Sequence, residues 1–200
     1  TLLIFTDLGN YLFVPVYELP DLKWKDAGKH ISNIIKLEED ENVIFATAVT
    51  DFNLDRLVTI FTRNGMIKSS LLNDFKVQRY SKTITCMKLK DDDRVVSVCI
   101  SDMNDADVLI TTNNGYVLRY SIGEVAIVGL KTSGVKSINL KDDEVVSINN
   151  FNDIEYISII TNKGTGKRVK LSEFEKSNRA RRGLMLVREV KTGPYKIVKT

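Results

Sequence analysis

The sequence predicts an all-β fold built from four-stranded blades repeated around an axis, and three observations support this. Thr-x-x-Gly occurs four times, and its glycines, Gly9, Gly65, Gly115 and Gly164, lie 56, 50 and 49 residues apart. An apolar run rich in β-branched and aromatic residues precedes each copy, as is typical of a strand. No 15-residue stretch keeps a helical period. Four strands in each repeat of about 50 residues is the pattern of propeller-like blades.

Each repeat is expected to begin with a β-hairpin. The first strands are predicted at Leu2–Phe5, Leu57–Phe61, Val108–Ile110 and Tyr156–Ile160, and the second strands at Tyr11–Val14, Met66–Lys68, Tyr116–Arg119 and Lys167–Lys170. The turn between them is Thr-x-x-Gly, and the Asn-Gly pairs in two copies predict type I′ turns with positive φ angles.

Two further strands are expected after a less regular linker, on either side of a polar turn. The third strands are predicted at Ile34–Leu37, Cys86–Leu89, Ser137–Leu140 and Val187–Val190, and the fourth strands begin at Val43, Val95, Val145 and Ile197. The turns between them contain Glu38–Glu41, Asp91–Asp93 and Asp142–Glu144, which we interpret as solvated hairpin turns. They lack the ligand spacing and central glycine of a calcium loop.

One domain covering 1–200 is predicted, with approximate repeats 1–56, 57–107, 108–155 and 156–200. The chain opens directly on an apolar strand, and we expect it to be a piece of something longer. No apolar run approaches the roughly 18 residues of a membrane helix, so no membrane partner is expected.

The sequence contains none of the residue constellations expected of an active site. His30 is the single histidine, and Cys86 and Cys99 lie in apolar strands, where free buried thiols are expected. We therefore predict no catalytic residue, no metal site and no cofactor in this chain.

Basic residues recur at two stations of the repeat, although the net charge is only +3. Equivalent stations in radial blades lie on one rim, so these residues are predicted to form a basic band that holds a polyanion. The candidates after the hairpin turn are Lys68, Arg119, Lys167, Arg168 and Lys170. Those in the linkers are Lys23, Lys25, Lys29, Lys76, Arg79, Lys82, Lys131, Lys136, Lys176, Arg179, Arg181 and Arg182.

Three segments carry a resemblance to a known family. The run from Gly9 to Pro20 resembles the blade pattern Gly-x-h-h-x-h-x-h-Tyr-x-h-Pro (h apolar) of the A subunits of bacterial type IIA topoisomerases. Gly28–Leu37 and Ser177–Leu184 are similar to the same blades. The family comprises the A subunits of DNA gyrase and topoisomerase IV, and the resemblance extends over all 200 residues.

The resemblance implies a C-terminal domain with a β-pinwheel fold, a propeller-like disc whose blades exchange strands, and four repeats suggest a fragment of a five- or six-bladed disc. Its expected partners are duplex DNA, bent on the basic perimeter to present the transported segment, the rest of the A subunit, and the ATPase B subunit. ATP, magnesium and the strand-cleaving tyrosine are expected elsewhere in the enzyme. The implied location is the bacterial cytoplasm, in association with the nucleoid.

The gyrase box Gln-Arg-Arg-Gly-Gly-Lys-Gly is absent, and its nearest matches are Gln78–Lys82 and Arg181–Gly183. This favours topoisomerase IV, although a gyrase domain whose box blade is missing remains an alternative. An alternative of another class is a propeller that binds a partner protein on one face. A small-molecule enzyme is disfavoured, because no catalytic constellation is present.

Overall fold

A computed structural model of the chain describes residues 1–78, 81–102, 106–186 and 193–200. Fifteen strands occur in these ranges: β1 (Leu2–Thr6), β2 (Asn10–Val14), β3 (Val43–Ala48), β4 (Arg56–Thr62), β5 (Met66–Leu71), β6 (Ile84–Thr85), β7 (Val95–Asp102), β8 (Asp107–Thr112), β9 (Tyr116–Ser121), β10 (Val135–Lys136), β11 (Val145–Phe151), β12 (Tyr156–Thr161), β13 (Gly166–Lys170), β14 (Leu184–Met185) and β15 (Ile197–Lys199). The described helices are all short 3₁₀ turns, at Val16–Glu18, Ile31–Asn33, Leu72–Phe75, Ile122–Glu124 and Leu171–Glu173.

The strands form four antiparallel sheets, and three of these contain a strand from the following repeat. Their orders are β3-β1-β2-β6, β10-β5-β4-β7, β11-β8-β9-β14 and β13-β12-β15. β6, β10 and β14 belong to repeats two, three and four by sequence, but each pairs with the hairpin of the repeat before it. The exchange of strands between neighbours, which the resemblance implied, is therefore present.

The radial order of the strands follows from their contacts. The fourth strands β3, β7, β11 and β15 contact one another in succession, so this edge of every sheet lies nearest the axis. The exchanged strands lie at the opposite edge and are outermost. The linkers that lead into them therefore run along the outer side of the molecule.

The predicted third strands are displaced in the structure. Strand pairing occurs just before the predicted segments, at β6, β10 and β14, and is only two residues long. The residues that follow turn inward instead, so that Cys86 and Met87 are buried and both donate their N–H to the Gly9 carbonyl. In the first repeat Ile31–Asn33 is a 3₁₀ turn, and Val187–Val190 lies outside the described residues.

The hairpin turns also differ from the prediction. In each turn the glycine N–H donates to the threonine carbonyl, and the glycine has a positive φ, as at Gly65 (+78°). Asn64 and Asn114 are not among the described residues with positive φ, so these turns are not type I′. A four-residue turn whose last residue is a left-handed glycine is typical of the three-residue hairpin loop with a bulge. In the second and third repeats the threonine hydroxyl accepts the N–H of the residue after the glycine, from Met66 to Thr62 at 3.1 Å and from Tyr116 to Thr112 at 3.0 Å.

The polar turns between the third and fourth strands hold the hairpins in place, so the expectation of solvated turns is wrong for one acid in each of the first three repeats. Asp93 is buried, and its Oδ1 accepts the Asn64 N–H at 2.9 Å. Asp143 accepts the Asn114 N–H in the same way at 3.0 Å. Glu41 is also buried and accepts the hydroxyl of Thr6 at 2.5 Å. These carboxylates satisfy turn groups that face away from water.

The described residues form four apolar clusters, of which three lie between consecutive repeats rather than within one. The first joins Phe5 and Tyr11 of repeat one to Phe75 of repeat two, with ring centroids 5.6 and 5.0 Å from that of Phe75. Two further clusters join repeats two and three, and repeats three and four. The linkers of the second, third and fourth repeats thus anchor each of these repeats on the one before it.

Candidate nucleic-acid interface

The linker glycines fix where the outer basic residues lie. Gly134 and Gly183 have φ of +76° and +85°, and a Cβ on either would lie 2.3 and 2.2 Å from the carbonyl oxygens of Ile67 and Val117. Only glycine allows so close an approach to the neighbouring backbone. Lys136 and Arg182 are therefore held directly beside the outermost strand pairs.

Most of the predicted basic band is exposed. The exposed members of the set are Lys23, Lys25, Lys29, Lys76, Lys82, Lys131, Lys136, Lys167, Arg168, Lys170, Lys176 and Arg181. They lie on linkers, on the exchanged strand β10, or on β13. These twelve residues therefore lie on elements at the outer side of the molecule. Arg79 lies outside the described residues.

A groove between repeats three and four brings several of these charges together. Its volume is about 290 Å³, and its lining includes Lys176, Arg181 and Arg182. The Arg182 guanidinium carbon lies 4.1 Å from the centroid of the Tyr116 ring, which restricts the side chain by a cation–π contact. Arg181 is exposed beside it and is available to an anion.

Arg119 and Lys176 share the buried carboxylate of Asp107. The Arg119 Nη2 lies 2.5 Å from Asp107 Oδ2, and the Lys176 Nζ lies 2.7 Å from Oδ1. Arg119 also donates to the carbonyl of Phe174 at 3.2 Å. The Arg119 side chain is only 18% exposed, so it joins repeat three to the linker of repeat four. Lys176 is 57% exposed and can still reach a ligand.

Arg179 is also engaged in structure. Its Nη1 donates to the carbonyl of Lys136, and its backbone N–H donates to Glu124 at 2.8 Å. The residue is half-buried. We infer that it holds the linker of repeat four against β10, and that its neighbours Arg181 and Arg182 supply the accessible charge.

Lys68 is a correction to the predicted set. It is 1% exposed, and its Nζ donates to the carbonyl of Cys86 inside the interface between the first two repeats. Burial lowers the pKa of its ammonium. A side chain enclosed in this way has no access to a phosphate, so Lys68 is removed from the band.

Aromatic and acidic partners of the band were not found by sequence reasoning. Tyr116 and Tyr156 lie under Arg182 and Arg168, the latter pair at 4.4 Å. Asp107 anchors two cations. Strand register could have revealed the contact between Tyr156 and Arg168, because these residues lie on the paired strands β12 and β13 and are offset by two positions.

Other kinds of site have no support within the described ranges. No group of three or more His, Cys, Asp or Glu side chains there could hold a metal ion. The two cysteines are free, and burial raises the pKa of the Cys86 thiol to about 12 and that of Cys99 to about 11. Over the same ranges, no helix is long and apolar enough to cross a membrane.

Comparison with known proteins identifies the family. A sequence profile described as "DNA gyrase C-terminal domain, beta-propeller" matches residues 1–50, 57–98, 106–152 and 155–199. The DNA topoisomerase 4 A-type subunit of Bacillus subtilis (strain 168) is 40% identical over 198 residues, which are 98% of this chain and 24% of that protein. The same subunit of Staphylococcus epidermidis is 40% identical over 99% of this chain and 25% of its own length. The chain thus spans about a quarter of the length of these relatives.

Solved structures agree with this result. A crystal structure of the C-terminal domain of DNA topoisomerase IV superposes with a TM-score of 0.94 at 45% identity, over 98% of this chain and 61% of that one. The structure of a DNA gyrase A C-terminal domain superposes with a TM-score of 0.80 at 23% identity, over 98% and 63% of the two chains, and shows the shared fold. The chain therefore belongs to the family of DNA gyrase C-terminal β-propeller domains, found in the A subunits of bacterial type IIA topoisomerases.

Proposed function

We propose that this chain is the DNA-binding C-terminal domain of a topoisomerase IV A subunit, which bends duplex DNA along its outer rim. The observation that carries the proposal is the position of twelve exposed basic residues on outer linkers and strands. Ten of the 26 acidic residues are segregated into the turns 38–41, 91–93 and 142–144, and several of them accept hydrogen bonds there. This segregation gives a nearly neutral domain one surface suited to a polyanion.

Recognition of this kind reads phosphate and shape rather than base sequence. Exposed lysine and arginine side chains contact phosphates. These contacts fix the position of the protein on a duplex without reading the base sequence. Bending the duplex costs free energy. On a curved row of basic residues this cost is offset by the additional phosphate contacts that the bend allows. The band contains more lysine than arginine, which suits non-specific contact with the DNA backbone.

The place of the domain in an enzyme follows from its relatives. They are A subunits of DNA topoisomerase 4, and the chain covers about a quarter of them. We propose that the bent segment is presented to the rest of the A subunit for transport, with the ATPase B subunit supplying the ATP-dependent step. The magnesium and strand-cleaving chemistry belong to that larger assembly, in the bacterial cytoplasm at the nucleoid.

Salt dependence of binding tests the phosphate contacts. The affinity for duplex DNA, measured by fluorescence anisotropy of labelled DNA, is expected to fall by roughly three orders of magnitude between about 50 and 200 mM salt. Arg181→Ala is expected to weaken binding equally on unrelated sequences and to reduce the log–log salt slope by about one. Lys141→Ala, in the turn Lys141–Glu144, removes the same charge away from the rim and should leave affinity nearly unchanged. An equal effect of both variants would contradict a rim site.

A topology assay tests whether the bent DNA is wrapped along the rim, because a bend within one plane leaves the linking number unchanged. Relaxed closed circular DNA is incubated with the protein and treated with a nicking-closing enzyme, and the linking number is then measured on a gel. A shift that grows with protein concentration is expected if the rim imposes a consistent path on DNA. An unchanged linking number at saturating protein would contradict wrapping along the rim.

A further inference from the structure

Two of the four hairpin turns contain an Asn-Gly pair, at Asn64-Gly65 and Asn114-Gly115. In this dipeptide the glycine nitrogen can attack the side-chain amide of the asparagine, because glycine has no side chain that hinders the approach. In both turns the glycine N–H donates to the threonine carbonyl, at 3.1 Å from Gly65 and 3.0 Å from Gly115. The attacking nitrogen is therefore engaged to the same extent in both, and a difference in reactivity has to come from the asparagine side chain.

The side chain of Asn114 is held at both of its polar atoms. The ammonium of Lys196 donates to Asn114 Oδ1, and Asn114 Nδ2 donates to the carbonyl of Asp142 at 3.4 Å. Rotation of the Asn114 Cγ towards the Gly115 nitrogen would break these hydrogen bonds, one of which has a charged donor. Hydrogen bonds to charged groups are the stronger ones, so Asn114 is restrained against this reaction.

The side chain of Asn64 lacks this restraint. The residue is exposed, and its backbone N–H donates to Asp93 at 2.9 Å. Its side-chain amide makes no hydrogen bond with any residue that the structure describes. The Asn64 Cγ can therefore rotate towards the Gly65 nitrogen without losing a partner, and water reaches it freely.

The two asparagines differ because the following repeats place different residues beside the turns. Val145 and Ile197 donate their N–H groups to the hairpins of the second and third repeats, so the residues before them, Glu144 and Lys196, occupy equivalent positions. Glu144 lines the same groove as Asn64, and a carboxylate has no proton to donate to an amide oxygen. All of these residues belong to repeats two to four, so the contrast arises between blades that the chain contains.

We propose that Asn64 is a site of spontaneous covalent modification, and that Lys196 protects Asn114 from the same reaction. The Gly65 nitrogen attacks Asn64 Cγ and forms a new C–N bond, while the Cγ–Nδ2 bond breaks. The Nδ2 amide nitrogen leaves as ammonia, and the proton lost from the Gly65 nitrogen balances the one it gains. Water then opens the resulting succinimide at either carbonyl, which gives aspartate or isoaspartate without any oxidant or reductant.

The product is expected to disturb the junction between the second and third repeats. Isoaspartate lengthens the main chain by a methylene just before Gly65, whose carbonyl accepts the Ser137 N–H at 2.8 Å. There is little room for this change, because a Cβ on Gly65 would lie 3.0 Å from Ile138 Cγ2. Both products also place a negative charge beside the buried carboxylate of Asp93. The modification therefore weakens the contact through which the third blade attaches to the second.

Peptide mapping by mass spectrometry tests the proposal on the whole 200-residue chain. The protein is incubated at mildly alkaline pH, which promotes loss of the glycine amide proton, and both Asn-Gly peptides are followed in the same sample. In the folded protein Asn64 is expected to convert about tenfold or more faster than Asn114, the factor that corresponds to one charge-assisted hydrogen bond. In denaturant the two rates are expected to be similar. Equal rates in the folded protein would overturn the proposal, as would an unmodified Asn64 after the denatured sample has reacted.

Two substitutions exchange the neighbours of the asparagines. Lys196→Ala is expected to raise the rate at Asn114 towards that at Asn64, while an unchanged rate at Asn64 shows that the protein has not unfolded. Glu144→Lys places an ammonium beside Asn64 and is expected to slow its conversion, and Glu144 is exposed, so no core packing is lost. An unchanged rate at Asn114 in the first variant would contradict protection by Lys196. An unchanged rate at Asn64 in the second would contradict the origin given for its reactivity.

Hydrogen exchange tests the effect on the junction. Asn64→Asp reproduces the added charge without the added methylene and is the matched control for the isoaspartate form. Protection of the Ser137 N–H is expected to fall in the isoaspartate form below that in Asn64→Asp, because only the former displaces the Gly65 carbonyl. Equal protection in the isoaspartate form and the unmodified protein would contradict a weakened junction.

Discussion

At the scale of single residues, register decides whether a basic side chain faces water. Lys68 pairs with Ile60, two residues before the threonine of its turn, whereas Arg119 pairs with Leu109, three residues before. A shift of one residue along a strand moves a side chain to the other face of the sheet. Lys68 and Arg119 thus both lie in the strand that follows the hairpin turn, but their side chains point to opposite faces of the sheet.

Lys167 is the register equivalent of Lys68 and shows what the next repeat contributes. It pairs with Ile159, again two residues before the threonine, yet it is exposed. In the second repeat, Gly134 and β10 of the third repeat pack against the strand that carries Lys68. No described strand covers β13 in this way. The burial of Lys68 therefore depends on the third repeat as well as on the register of its own strand.

The buried lysine predicts a dependence of stability on pH. Burial lowers the pKa of Lys68 in the folded state, so between that pKa and the usual value near 10.5 the unfolded chain holds a proton that the folded chain lacks. Stability contributed by this group therefore rises with pH across that window, by up to about 1.4 kcal/mol per pH unit. Chemical unfolding of the wild type and Lys68→Met at a series of pH values below about 10.5 is expected to show a shallower rise for the variant. Parallel curves would contradict the assignment.

At the scale of elements, the glycine of Thr-x-x-Gly has two functions in the first three repeats. It adopts the positive φ of the turn, and its carbonyl accepts N–H groups of the next repeat, from Cys86 and Met87 to Gly9, from Ser137 to Gly65 and from Leu186 to Gly115. The turn is therefore the attachment point for the neighbouring blade.

Gly9 and Gly164 separate these two functions. Both have positive φ, but a Cβ on Gly9 would lie 2.4 Å from the Met87 carbonyl oxygen, while nothing lies within 4 Å of one on Gly164. Gly164→Ala is expected to cost about 1 kcal/mol through backbone strain. Gly9→Ala should cost more than about 3 kcal/mol, because it adds a clash between two repeats. Urea unfolding measures both, and equal losses would contradict the attachment role.

At the scale of the whole molecule, the repeats are linked at both edges of the sheets. Near the axis, Val95, Val145 and Ile197 donate their N–H groups to the hairpin carbonyls of Asp7, Arg63 and Asn113 in the repeats before them. At the outer edge, the exchanged strands make the second connection. With the cores also lying between repeats, each blade depends on its neighbours for folding.

This arrangement predicts that one core substitution destabilises two repeats. Phe75 is fully buried against Phe5 and Tyr11, and its carbonyl accepts the Tyr11 hydroxyl at 3.2 Å. Phe75→Ala is expected to cost about 3–5 kcal/mol. Hydrogen exchange should show lost protection in β1 and β2 as well as in β4 and β5. A loss confined to the strands of repeat two would indicate blades that fold independently.

The sequence by itself determined the all-β class, the four repeats, the hairpin strands and the family, because these depend on local signals. Strand alternation and turn glycines act within about ten residues, and the spacing of 49 to 56 residues between the repeats can be read directly along the chain. The Gly9–Pro20 and Ser177–Leu184 segments carried the family resemblance for the same reason.

Only the tertiary structure decided which basic residues are accessible and where the third strands pair. Lys68, Arg119 and Arg179 are all basic residues of the predicted band, but their environments are built by residues 12 to 55 positions away, in neighbouring strands and linkers. The third strands pair with a different repeat, a choice made by the close approach of Gly134 and Gly183 to another backbone. Long-range packing fixes these features, and no local pattern encodes them.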